Sequence, residues 1–242
     1  MNLYFEDKII LVTAASKGLG YSVAKALIQE GAQVIICSRS EESLKKATDS
    51  LGDNSQYLVA DLSKSKDIDR LINQVMEITP RLDGLFVNAG GPRSGHFSEI
   101  SDDDWHTAYE LTLMSAVRLT RSTLPLLRKS DFPSILYSTS SSVKQPSENY
   151  LLANSMRLAV IGMMRTLANE LGPEGIRVNA VCPGPIHTQQ DEPINNKSIN
   201  PLQRMGRPDE FGKPCAFLLS PVASYIHGIL LLIDGGLYRG MM

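Results

Sequence analysis

The stretch Thr13-Ala14-Ala15-Ser16-Lys17-Gly18-Leu19-Gly20 gathers residue types that hold an anion with backbone atoms alone. An apolar run, Ile9-Ile10-Leu11-Val12, precedes it, and a helical pattern with Leu19, Val23, Ala26 and Leu27 on one face follows. A turn placed this way leaves unpaired N–H groups at the positive end of a helix dipole, where phosphate groups bind. Gly18 and Gly20 carry no Cβ, so a pyrophosphate can approach the backbone closely. In this strand–turn–helix setting, Thr13, Ala15, Ser16, Lys17, Gly18, Leu19 and Gly20 predict a nucleotide site. The next apolar run ends in Cys37-Ser38-Arg39. A carboxylate there would bond a ribose 2′-OH and repel a 2′-phosphate. Instead Ser38 is neutral and Arg39 cationic, and Lys17 can reach the same ribose. A guanidinium and an ammonium flanking a phosphate make charge-assisted hydrogen bonds, so the pair predicts NADP(H) in preference to NAD(H). Further along, Asp61-Leu62 would lie beside the adenine and Asn88-Ala89-Gly90 beside the adenine-side ribose, all at the C-terminal ends of strands.

These residues need a scaffold that presents strand ends side by side, and the chain predicts one. Apolar runs at 8–13, 33–38, 56–60, 84–88, 133–139, 176–181 and 229–233 alternate with helical patterns. Segments such as Val34-Ile35-Ile36-Cys37 are continuously apolar, as in a parallel sheet covered on both faces. Gly31, Pro80 and Gly172-Pro173 stop helices, and Ser101 with Asp104 three residues later starts one. The pattern is a single α/β domain over 1–242, doubly wound, with a seven-stranded parallel sheet between two helical layers. The one long irregular stretch, about 185–207, follows the sixth strand and reads as a substrate lid.

Composition narrows the class further. The chain has 242 residues, 43% hydrophobic and 21% charged, with a net charge of −2. That balance suits a globular domain and gives no reason to expect nucleic acid or a membrane surface as partner. No apolar run approaches the length of about 18 residues that spans a bilayer. Cys37, Cys182 and Cys215 are widely spaced in apolar stretches, which fits a cytoplasmic protein without disulfides and argues against a zinc site.

Taken together, these segments resemble the short-chain dehydrogenase/reductase family along nearly the whole chain, which implies a Rossmann-type fold. Thr13–Gly20 is similar to its TGxxxGxG turn, with Ala14 at the first glycine. Val87-Asn88-Ala89-Gly90 is similar to its NNAG segment, with Val for the first Asn. Pro183-Gly184-Pro185-Ile186-His187-Thr188 resembles its PG motif, whose Ile and Thr contact the nicotinamide. Gly206-Arg207-Pro208-Asp209-Glu210 and Ile233-Asp234-Gly235-Gly236 resemble its C-terminal signatures. The resemblance adds Pro183, Gly184, Ile186 and Thr188 to the cofactor set and implies chemistry by an Asn, a Ser and a Tyr-x-x-x-Lys helix. Ser140 stands at the Ser position. Aligning Gly162 and Glu170-Leu171 puts Arg157 at the Lys position and Ala153 at the Tyr position, and counting on from Trp105 puts Thr112 at the Asn position. Ala153 has no proton to give, and general acid–base help is worth about 10²–10⁴ in rate. Arg157 can still bond a ribose, but its pKa is too high for proton relay. Thr112 keeps a hydroxyl without the amide donors. The segment Ser142-Val143-Lys144-Gln145-Pro146 with Asn154-x-x-Arg157 resembles a divergent, 3-oxoacyl-(acyl-carrier-protein) reductase-like branch.

Another group would then supply the proton. Tyr150 precedes Ala153 by three residues and Arg157 by seven; if the helix begins by Ser147, all three share a face. His187, His96, Lys144 and Arg93 are weaker candidates, the last for an acidic substrate or a phosphopantetheine group. Helices at about 102–129 and 150–171 carry apolar residues on more than one face, which predicts a homodimer or homotetramer. The expected function is NADP(H)-dependent hydride transfer between nicotinamide and a carbonyl or secondary alcohol, on a small-molecule carbonyl or acyl thioester substrate, with Ser140, Arg157 and Tyr150 in the catalytic set. The competing expectation is an NADP(H)-binding sensor, or an inactive partner of an active homologue. Dehydration or isomerisation on the same scaffold is a remoter possibility.

Overall fold

The computed structural model describes residues 2–188 and 200–241. Its strands are β1 (Ile9–Thr13), β2 (Gln33–Ser38), β3 (Ser55–Val59), β4 (Gly84–Val87), β5 (Ser134–Ser138), β6 (Arg177–Pro183) and β7 (Leu230–Ile233). They form one seven-stranded sheet in the order β3-β2-β1-β4-β5-β6-β7. Every pairing is parallel. The helices are α1 (Gly18–Gln29), α2 (Glu41–Leu51), α3 (Ser65–Ile78), α4 (Asp102–Ala108), α5 (Ser115–Leu127), α6 (Leu151–Leu171) and α7 (Pro208–Leu219). The strand order reverses between β1 and β4, the crevice where open α/β sheets bind ligands. The expected doubly wound architecture is therefore present.

Strand alternation divides the core in two. Ile10, Val12, Val34, Ile36, Phe86 and Leu136 pack with Val23, Leu27, Leu44 and Phe211 from α1, α2 and α7. Leu11, Ile35, Cys37, Leu85, Ile135 and Tyr137 pack with Ile68, Leu119, Val160 and Met164 from α3, α5 and α6. Both faces of each central strand are thus covered, which is why these strands read as continuous apolar runs. Helix ends follow local chemistry. Ser40 Oγ accepts from Ser43 N at 3.2 Å to start α2. The Ser101 and Asp104 side chains reciprocally cap α4.

One expected helix is interrupted. Between α4 and α5, Tyr109–Met114 forms a π-helical turn. The wider turn carries Thr112 into the interior, where it is buried. Such turns are rare and concentrate at functional sites.

The tightest packing on the first core face lies between α1 and α7. A Cβ at Gly212 would meet Ser22 O at 2.4 Å, and backbone cannot yield as a side-chain tip can. Gly212→Ala should therefore lower stability by about 1–3 kcal/mol despite better helix propensity. By contrast, a Cβ at Gly90 meets nothing within 4 Å. Urea denaturation should place Gly90→Ala within about 0.5 kcal/mol of the parent.

Candidate active site

The turn after β1 is held by its neighbours across the crevice. Thr13 Oγ1 donates to Asn88 O at 2.7 Å and accepts from Asn88 N at 2.8 Å. Asn88 Nδ2 reaches Ala14 O at 3.3 Å. These bonds tie β1 to β4 at the point where the strand order reverses. Ala14 adopts φ +49 and Gly18 φ +61. The left-handed conformation costs an alanine about 1–2 kcal/mol, which a glycine there would avoid. Ala14 nevertheless keeps the turn. Gly20 is needed for a different reason, since a Cβ there would sit 2.5 Å from Ala14 O.

The N-terminus of α1 opens directly from this turn. No side chain caps the N-terminus of α1, and its first turn carries no acidic residue. Leu19 and Gly20 lie in that first turn, with Ser16 and Lys17 just ahead of it. Lys17 is exposed, whereas Ala15 is buried and donates its N–H to Cys37 O at 3.0 Å. At the end of β2, Ser38 Oγ is buried without a hydrogen-bond partner, and Arg39 is exposed beside it. Desolvation pushes the Asp61 carboxyl up, but hydrogen bonds from Ser63 and the charges of Lys64 and Arg39 bring it below its ordinary value. Arg39 thus feels Asp61 as well as the open crevice. Leu62 is buried, and Ala89 and Gly90 lie at the open end of β4. A groove of about 720 Å³ starts at Ser16, Lys17, Gly18 and Thr188 and runs back over α1 between α2 and α7. It therefore meets the strand ends only at its head.

At the neighbouring strand end, Ser140 caps a short turn, Ser141–Val143. Its Oγ accepts from Ser142 N at 3.1 Å, which leaves the hydroxyl hydrogen free to donate. Arg157, on α6, donates from Nη1 to Thr139 O and so braces the end of β5 from behind. Its Nε, the Thr112 hydroxyl and the Ser138 hydroxyl are buried without partners. All three residues line one cavity of about 10 Å³, with polar groups and room enough for a single ordered water. Burial lowers the Arg157 pKa, opposed by the nearby Cys182. The sequence expectation that Arg157 reaches outward to a ribose needs correction. The guanidinium is engaged with backbone and faces the Thr112 cavity, because the π-helical turn and β5 surround it.

Tyr150 also departs from expectation. The helix begins at Leu151, not Ser147, and Tyr150 is its N-cap residue with ψ 35. Asn149 at φ +61 turns the chain just before it, and Gly95 N bonds Asn149 O at 2.8 Å. Tyr150 is 52% exposed and stands at the end of α6 rather than within it. Ala153 is buried in the helix. Arg93 is engaged with Asp104 at 2.9 Å and Glu99 O at 2.8 Å. His96 and His187 are exposed.

Beyond β6, Pro183 and Ile186 are buried and Gly184 packs on Asp234, where a Cβ would meet Asp234 Cβ at 2.6 Å. Thr188 reaches the phosphate turn, its Cγ2 lying 3.7 Å from the position of a Gly18 Cβ. Of the expected lid at 185–207, residues 189–199 lie outside the described residues. Its two ends are described and are stitched together: His187 N donates to Gly206 O at 2.8 Å and Gly206 N to Pro185 O at 2.9 Å. Glu210 anchors the returning end by bonding both Arg204 and Arg207 N. Sequence reading missed the Glu210 anchor here, although Glu210 stood in the quoted Gly206–Glu210 segment.

Known proteins place this architecture. Residues 13–238 match a family model described as enoyl-(acyl carrier protein) reductase. The 3-oxoacyl-[acyl-carrier-protein] reductase FabG of Salmonella typhimurium is 33% identical, with 97% of this chain and 98% of that protein covered. Human dehydrogenase/reductase SDR family member 4 is 28% identical over 95% of this chain and 87% of its own. The crystal structure of L-sorbose reductase from Gluconobacter frateurii, complexed with NADPH and L-sorbose, superposes with a TM-score of 0.94 at 26% identity, covering 100% of both chains. The chain belongs to the short-chain dehydrogenase/reductase family, a family of oxidoreductases. Within it, the chain is 3-oxoacyl-(acyl-carrier-protein) reductase-like.

The Glu210 anchor makes a prediction. Hydrogen bonds from Arg204 and Arg207 N lower the Glu210 pKa from 4.5 to about 2. A carboxyl with a depressed folded pKa stabilises above its unfolded value and loses that contribution as pH falls through the folded one. The stability gap between the parent and Glu210→Gln should therefore be widest above pH 4.5 and close towards pH 2, measured by denaturant melts across that range.

Proposed function

We propose that this protein is an NADP(H)-dependent reductase of carbonyl compounds, with an atypical arrangement around Ser140. The observation that carries the cofactor reading is the buried, unpartnered Ser38 hydroxyl beside exposed Arg39, with Lys17 on the facing turn. A buried hydroxyl without a partner is costly, and a ribose phosphate would satisfy it. Ser16, Gly18, Leu19 and Gly20 would hold the pyrophosphate on a turn that Thr13 and Ala15 fix, and Asp61, Leu62, Asn88, Ala89 and Gly90 the adenosine half. Pro183, Gly184, Ile186 and Thr188 would border the nicotinamide. When bound, the nicotinamide supplies or accepts the hydride. The NADPH complex of the superposable L-sorbose reductase supports the assignment.

Ser140 would donate its free hydroxyl hydrogen to the substrate oxygen and so stabilise the charge that develops there. Arg157 would fix the carbonyl end of β5, and with it the Ser140 turn, rather than touch the substrate. Thr112 would complete the polar cavity behind Arg157. Ala153 contributes no proton, so the proton source lies elsewhere in the site.

The competing reading, cofactor binding without turnover as a sensor or an inactive partner, is favoured by Ala153 and by the inward guanidinium. Titration with NADPH and NADH, followed by absorbance assays with a carbonyl panel that includes a 3-oxoacyl thioester, separates the two. We expect NADPH to bind at least tenfold more tightly than NADH and to be oxidised, on the scale of one charge-assisted contact of about 1.5–3 kcal/mol. Arg39→Glu should reverse that preference. Tight binding with no oxidation would support the sensor reading, and binding of neither cofactor would overturn both.

A homodimer or homotetramer through the outer faces of the π-helical turn and α6 fits this reading. Leu158 there is 54% exposed and Tyr109 37%. Leu158→Glu should shift the sedimentation velocity profile towards monomer. A cytoplasmic location fits the three buried, unpaired cysteines.

A further inference from the structure

We infer that the groove over α1 binds an oligophosphate chain, whose head occupies the same turn as the cofactor's phosphates. The binding stands on the groove alone. The competition with NADPH that follows from it rests on the cofactor reading.

The groove, at about 720 Å³, falls within the size of small-molecule sites, about 300–1,000 Å³. Its floor is α1. Gly18, Ser22 and Ala26 follow one another there at four-residue steps, and these small residues leave the trough deep. Lys17, Tyr21, Lys25 and Gln29 form the adjoining row, with about 12 Å of helix axis between the two lysines. Beyond its head, the groove leaves the residues assigned to the cofactor. The adenosine half would run the other way, towards the ends of β2 and β3.

The charge of the groove is one-sided. Among the described residues, Lys17, Lys25, Lys46 and Lys213 line it against one carboxylate, Asp209, in a chain whose net charge is −2. Lys46 bonds Glu42 at 2.7 Å, and Lys213 bonds Asp209 at 3.2 Å. Both pairs are exposed, where an ion pair is worth little and yields to a better anion. Lys17 and Lys25 have no carboxylate partner among the described residues. Tyr21 OH donates to Ser50 Oγ at 2.9 Å, joining α1 to α2 and leaving the Ser50 hydrogen free to donate. An ammonium is a compact point charge on a flexible stem, suited to phosphate oxygens at varied positions. Three helices thus bring four ammonium groups and a hydroxyl donor to one trough, and a row of phosphates meets them all.

The head of the groove is Ser16, Lys17 and Gly18, on the turn proposed for the pyrophosphate. A phosphate chain seated there and a dinucleotide cannot share it. Each therefore weakens the binding of the other, by the same factor in both directions. Cofactor loading would then respond to the level of an oligophosphate.

The test titrates inorganic tripolyphosphate into the full chain by calorimetry, without divalent cations and at fixed ionic strength, with sulfate as the control anion. We expect tripolyphosphate to bind about tenfold more tightly than sulfate, which meets fewer of the lysines. Lys25→Gln and Lys213→Gln should each weaken it about threefold to fivefold, the worth of one exposed ion pair, and together about tenfold. Lys25→Arg with Lys213→Arg should restore it. NADPH affinity should stay within about twofold in these variants, because they lie away from the cofactor residues. Lys17→Gln should weaken both ligands, and tripolyphosphate should raise the apparent Kd of NADPH. Tripolyphosphate bound no better than sulfate would overturn the inference. So would a loss confined to Lys17→Gln, which would make the turn the whole site. ATP in the same titration identifies the source of the phosphates. Affinity about fivefold above that of tripolyphosphate, and lost in the double Gln variant, assigns a nucleotide; equal or lower affinity assigns a free phosphate chain. NADPH binding without tripolyphosphate binding overturns this inference alone. Tripolyphosphate binding without NADPH binding overturns the cofactor reading and the competition, and leaves the groove site standing.

Discussion

The structure depends on how closely the chain can cross itself where β1 passes into α1. Gly20 lies against the Ala14 carbonyl at a distance that no side chain would permit, and Ala14 accepts a left-handed backbone to make that approach. Thr13 and Asn88 then lock the turn to β4. These contacts determine where the two halves of the sheet part and where α1 points its unpaired N–H groups. Strand ends, helix layers and the polar groups above them inherit that geometry. Because Ala14 meets the backbone requirement at a cost of about 1–2 kcal/mol, the turn is under mild strain and is retained by the bonds around it.

Much of this was legible from residue types. Strands buried on both faces announce themselves as unbroken apolar runs, and the expected boundaries agree with β1 to β7 to within about two residues, the usual uncertainty of element ends. The Ser101 and Asp104 cap and the glycine turn are local motifs whose partners lie within a few residues, so pattern alone suffices. The site was harder, because its geometry rests on long-range packing. Nothing near Arg157 in the sequence indicates that the guanidinium turns towards Thr139, since that depends on β5 and on the π-helical turn. Tyr150 was misplaced because Asn149 takes a conformation that a helical count cannot foresee.

The polar interior behind Ser140 is organised by the shape of a guanidinium. A lysine side chain is a flexible point charge, whereas a guanidinium is a planar fork that must satisfy several donors. Here the fork bonds a strand carbonyl and shares a small cavity with two hydroxyls. The arrangement makes α6 a brace for the end of β5. It also makes the unpaired polar atoms of Thr112, Ser138 and Arg157 a coupled set, in which changing one alters the hydration of the others.

The stitched ends of the excursion after β6 have an evolutionary consequence. The backbone pairing of His187 and Pro185 with Gly206 brings the two described ends of the segment together at its base. Once a loop is closed, each doubling of its length adds only about 0.6 kcal/mol of closure entropy. Residues between the stitches can therefore be lengthened, shortened or recomposed with little penalty to the core. The chain can diversify there by insertion and deletion while the sheet and the helices packed on it are inherited unchanged.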